Sequence, residues 1–414
     1  MSRARSLAAA AAVTLVLAVT LPPVAGGGTE SLPFTCIACG YRWAAGFVLN
    51  VLLFVPLGAA VARPHRGASG VARAVIAGLA LSLLVEAVQV GIPGRHPALG
   101  DLLANTMGGA VGACLAVTSL AWLGTSGRPR RGVTAAWGAA VVAVVLGTSW
   151  MLTPFLPRST WWVQHVPALG QFDTFPGTVV NARAGDLPLP AGRLPVEDRD
   201  RLRRGMLRRP ELTAEAMFGR PTEGLAPVVS VFDDRQREIL VLGQDGEDLV
   251  FRLRRRADAV GLERPEHRAP GLLAGVGSGD TVRLGAVPSD PDDREGTVAA
   301  DAALCLTAGR SARCDLGFRP GRGWRLLLDP GLAPRAIRWV DGAWVALLFL
   351  PLGFWANPGR EWRGAAVAAS GALLLAPAVG PVLAPGIAEV TGLVAGLSLG
   401  RMVRGLLGRY RARG

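Results

Sequence analysis

Apolar residues gather in runs of roughly 20 positions near both ends of the chain, and in short alternating runs through its middle. A helix rises about 1.5 Å per residue, so about 20 apolar residues cover the ~30 Å hydrocarbon core of a bilayer. Five such runs lead: Leu7 to about Val24, Ala44 to Ala62, Arg73 to Ile92, Leu99 to Trp122 and Val133 to Phe155. Three more close the chain: Trp339 to Ala356, Gly364 to about Val379 and about Pro385 to Leu399. Between them, VVSVFD (228–233), EILVLGQ (238–244), DLVFRLR (248–254), DTVRLGAV (280–287), AALCLTA (302–308) and WRLLLDP (324–330) have the length and turn spacing of antiparallel strands, which predicts a β-sandwich. The predicted fold class is a multi-pass α-helical membrane protein of about eight transmembrane helices with an inserted all-β domain. Its divisions are a five-helix bundle over 1–157, the sandwich over 158–335 and a three-helix segment with a basic tail over 336–414.

Charge adds a topology. The chain carries 44 basic residues, all Arg, against 31 acidic ones. Residues 158–335 hold 26 Arg and 25 acids, whereas the remainder holds 18 Arg and 6 acids. Most of those 18 flank the apolar runs: Arg3, Arg5, Arg63, Arg66, Arg73, Arg128, Arg130, Arg131, Arg360, Arg363 and the tail from Arg401 to Arg413. Short basic loops stay cytoplasmic, which predicts both ends inside and the sandwich outside, in a bacterial inner (cytoplasmic) membrane. This asymmetry accounts for the net charge without a nucleic-acid partner; membrane lipids are the expected partners. The first run follows Arg3 and Arg5 as a secretory signal would. It is read as an uncleaved helix, with cleavage near Ala25-Gly26 left open.

Polar residues inside the apolar runs are the candidate chemistry. Asn50, Glu86, Gln89, Asp101 and Asn105 interrupt helices two to four, and a carboxylate at such a place costs about 2.5–3.5 kcal/mol on insertion scales. Glu86 and Gln89 are spaced to share one helix face, as are Asp101 and Asn105. Helix rise puts all five near the outer ends of their helices, capped by Arg95 and His96 in the loop IPGRHPALG. Two readings remain open: Glu86 or Asp101 pairs with Arg95 while the amides hydrogen-bond between helices, or the seven form a site for a polar headgroup, a lipid-linked envelope precursor or protons. Any catalytic role would fall to Glu86 or Asp101.

The ordered set NVLLFVPLG, Glu86-x-x-Gln89, Arg95-His96 and GDLLANTMGGAVG resembles the VanZ-like family of bacterial membrane proteins. That resemblance covers about a quarter of the chain and implies association with resistance to the glycopeptide teicoplanin, with no agreed mechanism. FDTFPGT followed by SVFDDRQREILVLGQDGEDLVFRLR resembles a concanavalin A-like or laminin-G-like jelly roll, which implies a glycan or envelope partner for the sandwich. The reading is an envelope binding or accessory protein. Its rivals are a membrane enzyme, with Arg95 and His96 holding a phosphate, and a transporter.

LFLPLG at 348–353 repeats LFVPLG at 53–58, and Glu389 with Gly396 and Gly400 repeats the spacing of Asp101 with Gly108 and Gly112. Val345 stands at the place of Asn50, so the second copy reads as scaffold. Cys305 and Cys314 are predicted to form a disulfide outside the cytoplasm, and Cys36-x-x-Cys39 to be a local disulfide or idle thiols. His65, His96, His165 and His267 are too scattered for a zinc site, and no phosphate loop or nucleophile elbow occurs. No metal or cofactor is expected. The charged stretch Arg193 to Glu211 reads as a solvated loop or surface helix.

Overall fold

The computed structural model describes residues 2–23, 34–62, 67–119, 128–167, 172–289, 303–328, 334–355 and 360–412. Arg63, His65, Arg66 and the Ala25-Gly26 position lie outside them. The chain divides into two compact units, Met1–Val133 with Val260–Glu263, and Thr134–Ala259 with Arg264–Gly414.

The first unit is built on α1 (Ser2–Thr20), α2 (Trp43–Ala62), α3 (Ala68–Gln89) and α4 (Leu99–Val117). Ala12 and Val16 of α1 pack on Phe54 and Leu57 of α2 and Val85 of α3. Leu52, Leu83, Leu84 and Val88 remain exposed, as side chains facing lipid do.

The second unit begins within α5 (Arg128–Met151) and continues into the β-region. Its strands are β1 (Trp161–His165), β2 (Thr178–Ala184), β3 (Leu187–Pro188), β4 (Gly192–Arg193), β5 (Leu212–Met217), β6 (Leu225–Asp233), β7 (Glu238–Asp245), β8 (Asp248–Leu253), β9 (His267–Ala269), β10 (Thr281–Pro288), β11 (Leu304–Ala308) and β12 (Ser311–Leu316). They form two antiparallel six-stranded sheets, β4-β1-β6-β7-β8-β9 and β12-β11-β10-β5-β2-β3. Val229, Val231, Leu240, Leu242 and Phe251 of the first sheet and Leu212, Ala214, Leu284 and Leu306 of the second share one core. The charged stretch is a helix, α6 (Val196–Arg208), and it is more than a solvated face because Leu202 and Met206 are buried in that core. Just ahead of the short helix α7 (Arg256–Ala259), Arg255 is fully buried: it donates to the Leu152 carbonyl at the end of α5 and lies 3.1 Å from His267 Nε2. His267 Nδ1 meets the Leu316 carbonyl at 2.8 Å, so this nitrogen carries the ring proton. Burial first, then the Arg255 cation, push the imidazole down to about 3.

One expected strand is not formed over its described residues, 324–328. WRLLLDP starts inside a 3-10 helix, Pro320–Leu326, because the Trp324 indole N–H is drawn to Asp341 Oδ1 at 2.8 Å and Pro320 sets the first turn. There follow α8 (Pro334–Trp355), α9 (Arg360–Val379) and α10 (Ile387–Ala412). The basic tail from Arg401 is thus largely a continuation of α10. Among the described residues six helices are long and apolar enough to cross a membrane, namely α2 to α5, α8 and α10, while the apolar parts of α1 and α9 are shorter, Ser6–Thr20 and Val367–Val379.

Glycines set the approach of α2 to α4. A Cβ on Gly108, Gly112 or Gly58 would fall closer than 3.0 Å to the carbonyl oxygen of Val51, Val55 or Gly109 respectively. The same three contacts recur between α8 and α10, with Gly396 on Ala346, Gly400 on Leu350 and Gly353 on Leu397. Each α8 residue follows its α2 counterpart by 295 positions, and each α10 residue follows its α4 counterpart by 288. The internal repeat is therefore one of backbone packing as well as of motif.

Candidate functional site

All seven predicted site residues lie in the first unit, near one end of its helices. Asn50 ends the second turn of α2, Glu86 and Gln89 occupy the last turn of α3, and Asp101 the first turn of α4. The structure separates them into two groups.

The first group surrounds a cavity of about 270 Å³, whose lining includes Asp101, His96, Ala98, Arg42, Trp43 and Phe47. Asn50 Nδ2 donates to Asp101 Oδ1 at 2.7 Å. Asp101 Oδ2 has no donor among the described residues. Behind the cavity, buried Glu86 accepts the Ala98 N–H at 3.0 Å through Oε2. Ala98 precedes α4 and its amide is among the N–H groups a helix start leaves unpaired, so Glu86 acts as a cap donated by the neighbouring helix. Arg42 forms an ion pair with Glu263 of the same unit, and the Ala44 and Ala45 amides donate to Gly261 O at 2.9 and 3.1 Å.

The second group ties helices together. Gln89 Nε2 donates to Thr20 O at 2.9 Å, and Arg95 donates from Nε to Pro22 O at 3.1 Å and from a terminal nitrogen to Val19 O at 3.3 Å. Both satisfy carbonyls that the end of α1 leaves open. Asn105 Nδ2 donates to Ser82 Oγ at 2.9 Å across the α3–α4 contact. Among the described residues no ion pair within 4.0 Å joins Arg95 to Glu86 or Asp101, one of the two arrangements left open by the sequence, although the Arg95 charge still acts on Asp101.

Sequence reasoning missed Arg42, Trp43 and Phe47 of the cavity wall, and Ser82. The run YRWAAGF, aromatic and basic just ahead of an apolar helix, was the available signal for the wall. Ser82 shares the buried face of α3 with Val85, Glu86 and Gln89, a face legible from the helical period. Cys36 and Cys39 are at disulfide distance, as are Cys305 and Cys314 across the β11–β12 hairpin, and Cys114 is free. No cluster of three or more His, Cys, Asp or Glu able to hold a metal occurs among the described residues.

The family model VanZ/LLP1 matches residues 8–121, a stretch that contains α2 to α4, most of α1 and all seven candidate residues. Comparison with curated proteins and with solved structures returns no match.

Proposed function

We propose that this chain is a VanZ-like integral protein of the bacterial cell envelope whose α2–α4 bundle holds an envelope component at the Asp101 cavity. In this reading the protein sits in the inner membrane with domains 1–157, 158–335 and 336–414. The middle domain, a concanavalin A-like or laminin-G-like jelly roll on the outer side, recognises a glycan or an envelope partner. The cellular consequence is glycopeptide tolerance of the teicoplanin type. One observation carries the binding reading: in a segment matching the family model, a cavity of about 270 Å³ is lined by a carboxylate fixed through Asn50, with no donor to its second oxygen among the described residues. Asp101 is half-buried, and a carboxylate kept at such a position in an apolar bundle is the pattern of a site.

Binding is favoured over phosphate chemistry. Arg42 is ion-paired with Glu263, and Arg95 donates to the Val19 and Pro22 carbonyls, so part of the donor set of each guanidinium is already engaged. The test is purified full-length protein in detergent with a lipid-linked cell-wall precursor. Saturable binding without turnover, lost in Asp101→Asn, supports the proposal. Turnover would move the protein to the enzyme class, and no binding would refute the reading.

A further inference from the structure

We infer that the Cys36–Cys39 bridge is a redox-modifiable cap on α4, opened by exchange with a small dithiol, and that its state sets the order of the turn carrying Asp101. The inference is independent of what the cavity binds.

A helix start leaves its first amides without partners in the helix, and a polar side chain at the N-cap accepts one of them in many helices. The N-cap of α4 is Ala98, which has no side chain for the task. The amides are taken up from elsewhere in the first unit. Glu86 accepts the Ala98 N–H at 3.0 Å, Phe34 O accepts the Leu99 N–H at 2.8 Å and Cys36 O accepts the Gly100 N–H at 3.2 Å. Residues 34–40 thus lie across the start of α4, so closely that a Cβ on Gly100 would fall 2.3 Å from Ile37 O.

The second copy of the helix pair shows a different division of labour. By the 288-residue shift, Asp101 corresponds to Glu389 and Ala98 to Gly386. Glu389 caps its own helix by accepting the Gly386 N–H through Oε2. In the first copy Glu86 and the bridged segment do the capping, and the first-turn acid is bonded across to α2 through Asn50. Apolar burial holds the segment only weakly, since Phe34 and Ile37 are 48 % and 56 % exposed. The bridge, closing residues 3 apart in sequence, supplies a constraint that the open segment loses.

Both cysteines are half-buried, which leaves the bridge approachable by a small thiol. One thiolate of the dithiol attacks Sγ of Cys36 or Cys39, forming a mixed disulfide and expelling the other cysteine as thiolate; the second thiol of the reagent then displaces the remaining protein sulfur. Two electrons pass from the dithiol to the bridge. The reagent leaves as a disulfide, and its two thiol protons end on the two cysteines. Freed of the bridge, residues 34–40 leave the Leu99 and Gly100 amides, and the first turn of α4 frays.

Hydrogen exchange of full-length protein in nanodiscs, read by mass spectrometry on the peptide spanning 98–102, tests this with dithiothreitol as the probe. Exchange there should be slow in oxidised wild type and rise about tenfold or more after reduction, the worth of one to two net hydrogen bonds. Re-oxidation with oxidised glutathione should restore slow exchange, a recovery that misfolding cannot produce. Cys36→Ser/Cys39→Ser should exchange at the reduced rate with or without dithiothreitol, which separates this bridge from Cys305–Cys314. Equal rates in oxidised and reduced wild type overturn the inference, as does a dithiothreitol-dependent rise that persists in the double variant. A Cys36–Cys39 bridge that alkylation shows still closed after incubation of the folded protein with dithiothreitol also overturns it.

Discussion

Gly112→Ala should part α2 from α4 and thereby dismantle the cavity wall. A Cβ on Gly112 would stand closer than 3.0 Å to both Val55 O and Ala59 N, which are backbone atoms and cannot rotate away. Restoring contact at about 3.5 Å requires the helices to separate by on the order of 1 Å. Overpacking of this kind costs about 1–3 kcal/mol, a fall in melting temperature on the order of 5 °C. The Asn50–Asp101 hydrogen bond spans the same two helices at 2.7 Å, and an added ~1 Å takes it beyond about 3.2 Å, where such bonds fail. Melting of the full chain in detergent, followed by tryptophan fluorescence, reads the stability loss. Gly46→Ala is the control, since a Cβ there meets nothing within 4 Å and Ala favours the helix by about 0.5–1 kcal/mol. Gly400→Ala should reproduce the loss through Leu350 O. If Gly112→Ala melts as high as Gly46→Ala, glycine does not set this helix approach.

Other outcomes follow from the same contacts. Glu389 is 1 % exposed and accepts two backbone N–H groups, so Glu389→Gln, which turns one acceptor into a donor, should cost about 1–3 kcal/mol and lower the folded yield; a yield equal to wild type would show the contacts are dispensable. An unfolded His267 takes up a proton near pH 6.5 and the folded one only near about 3. The stability of the sandwich region should therefore be full above pH 6.5 and fall as pH drops toward 3, and His267→Gln should flatten that slope; a parallel slope in the variant would refute it. Cys305 and Cys314 should resist alkylation in non-reduced protein, and their reduction should cost on the order of 2–3 kcal/mol; two freely alkylated thiols would contradict the bridge. Reporters after Arg130 or Arg363 should read cytoplasmic and one near Asp292, which lies outside the described residues, should read external; a cytoplasmic signal at Asp292 would reverse the topology.

The apolar runs and the alternating middle made the helices and most strands legible, because burial imposes periods of 3.6 and 2 on sequence. The turn at Pro320–Leu326 was not, since its strand-like WRLLL is overridden by Asp341, a tertiary partner that local pattern cannot supply. The polar positions of the bundle were visible as residues lipid does not tolerate. Their division was hidden: Gln89 and Arg95 answer the carbonyl end of α1, whereas Asp101 faces a cavity, and spacing within one helix cannot tell the two apart. The repeat showed itself in PLG and glycine spacing, while the backbone N–H groups of Gly321 and Gly386 that Glu389 accepts could be read only from the folded chain.

Asp101→Asn tests the central claim most directly, in cells in which the wild-type gene complements a deletion. The account predicts membrane insertion and melting temperature near wild type, together with complete loss of whatever phenotype the deletion shows, such as altered glycopeptide tolerance. Retained complementation by Asp101→Asn, or loss that merely tracks the amount of folded protein, would contradict it.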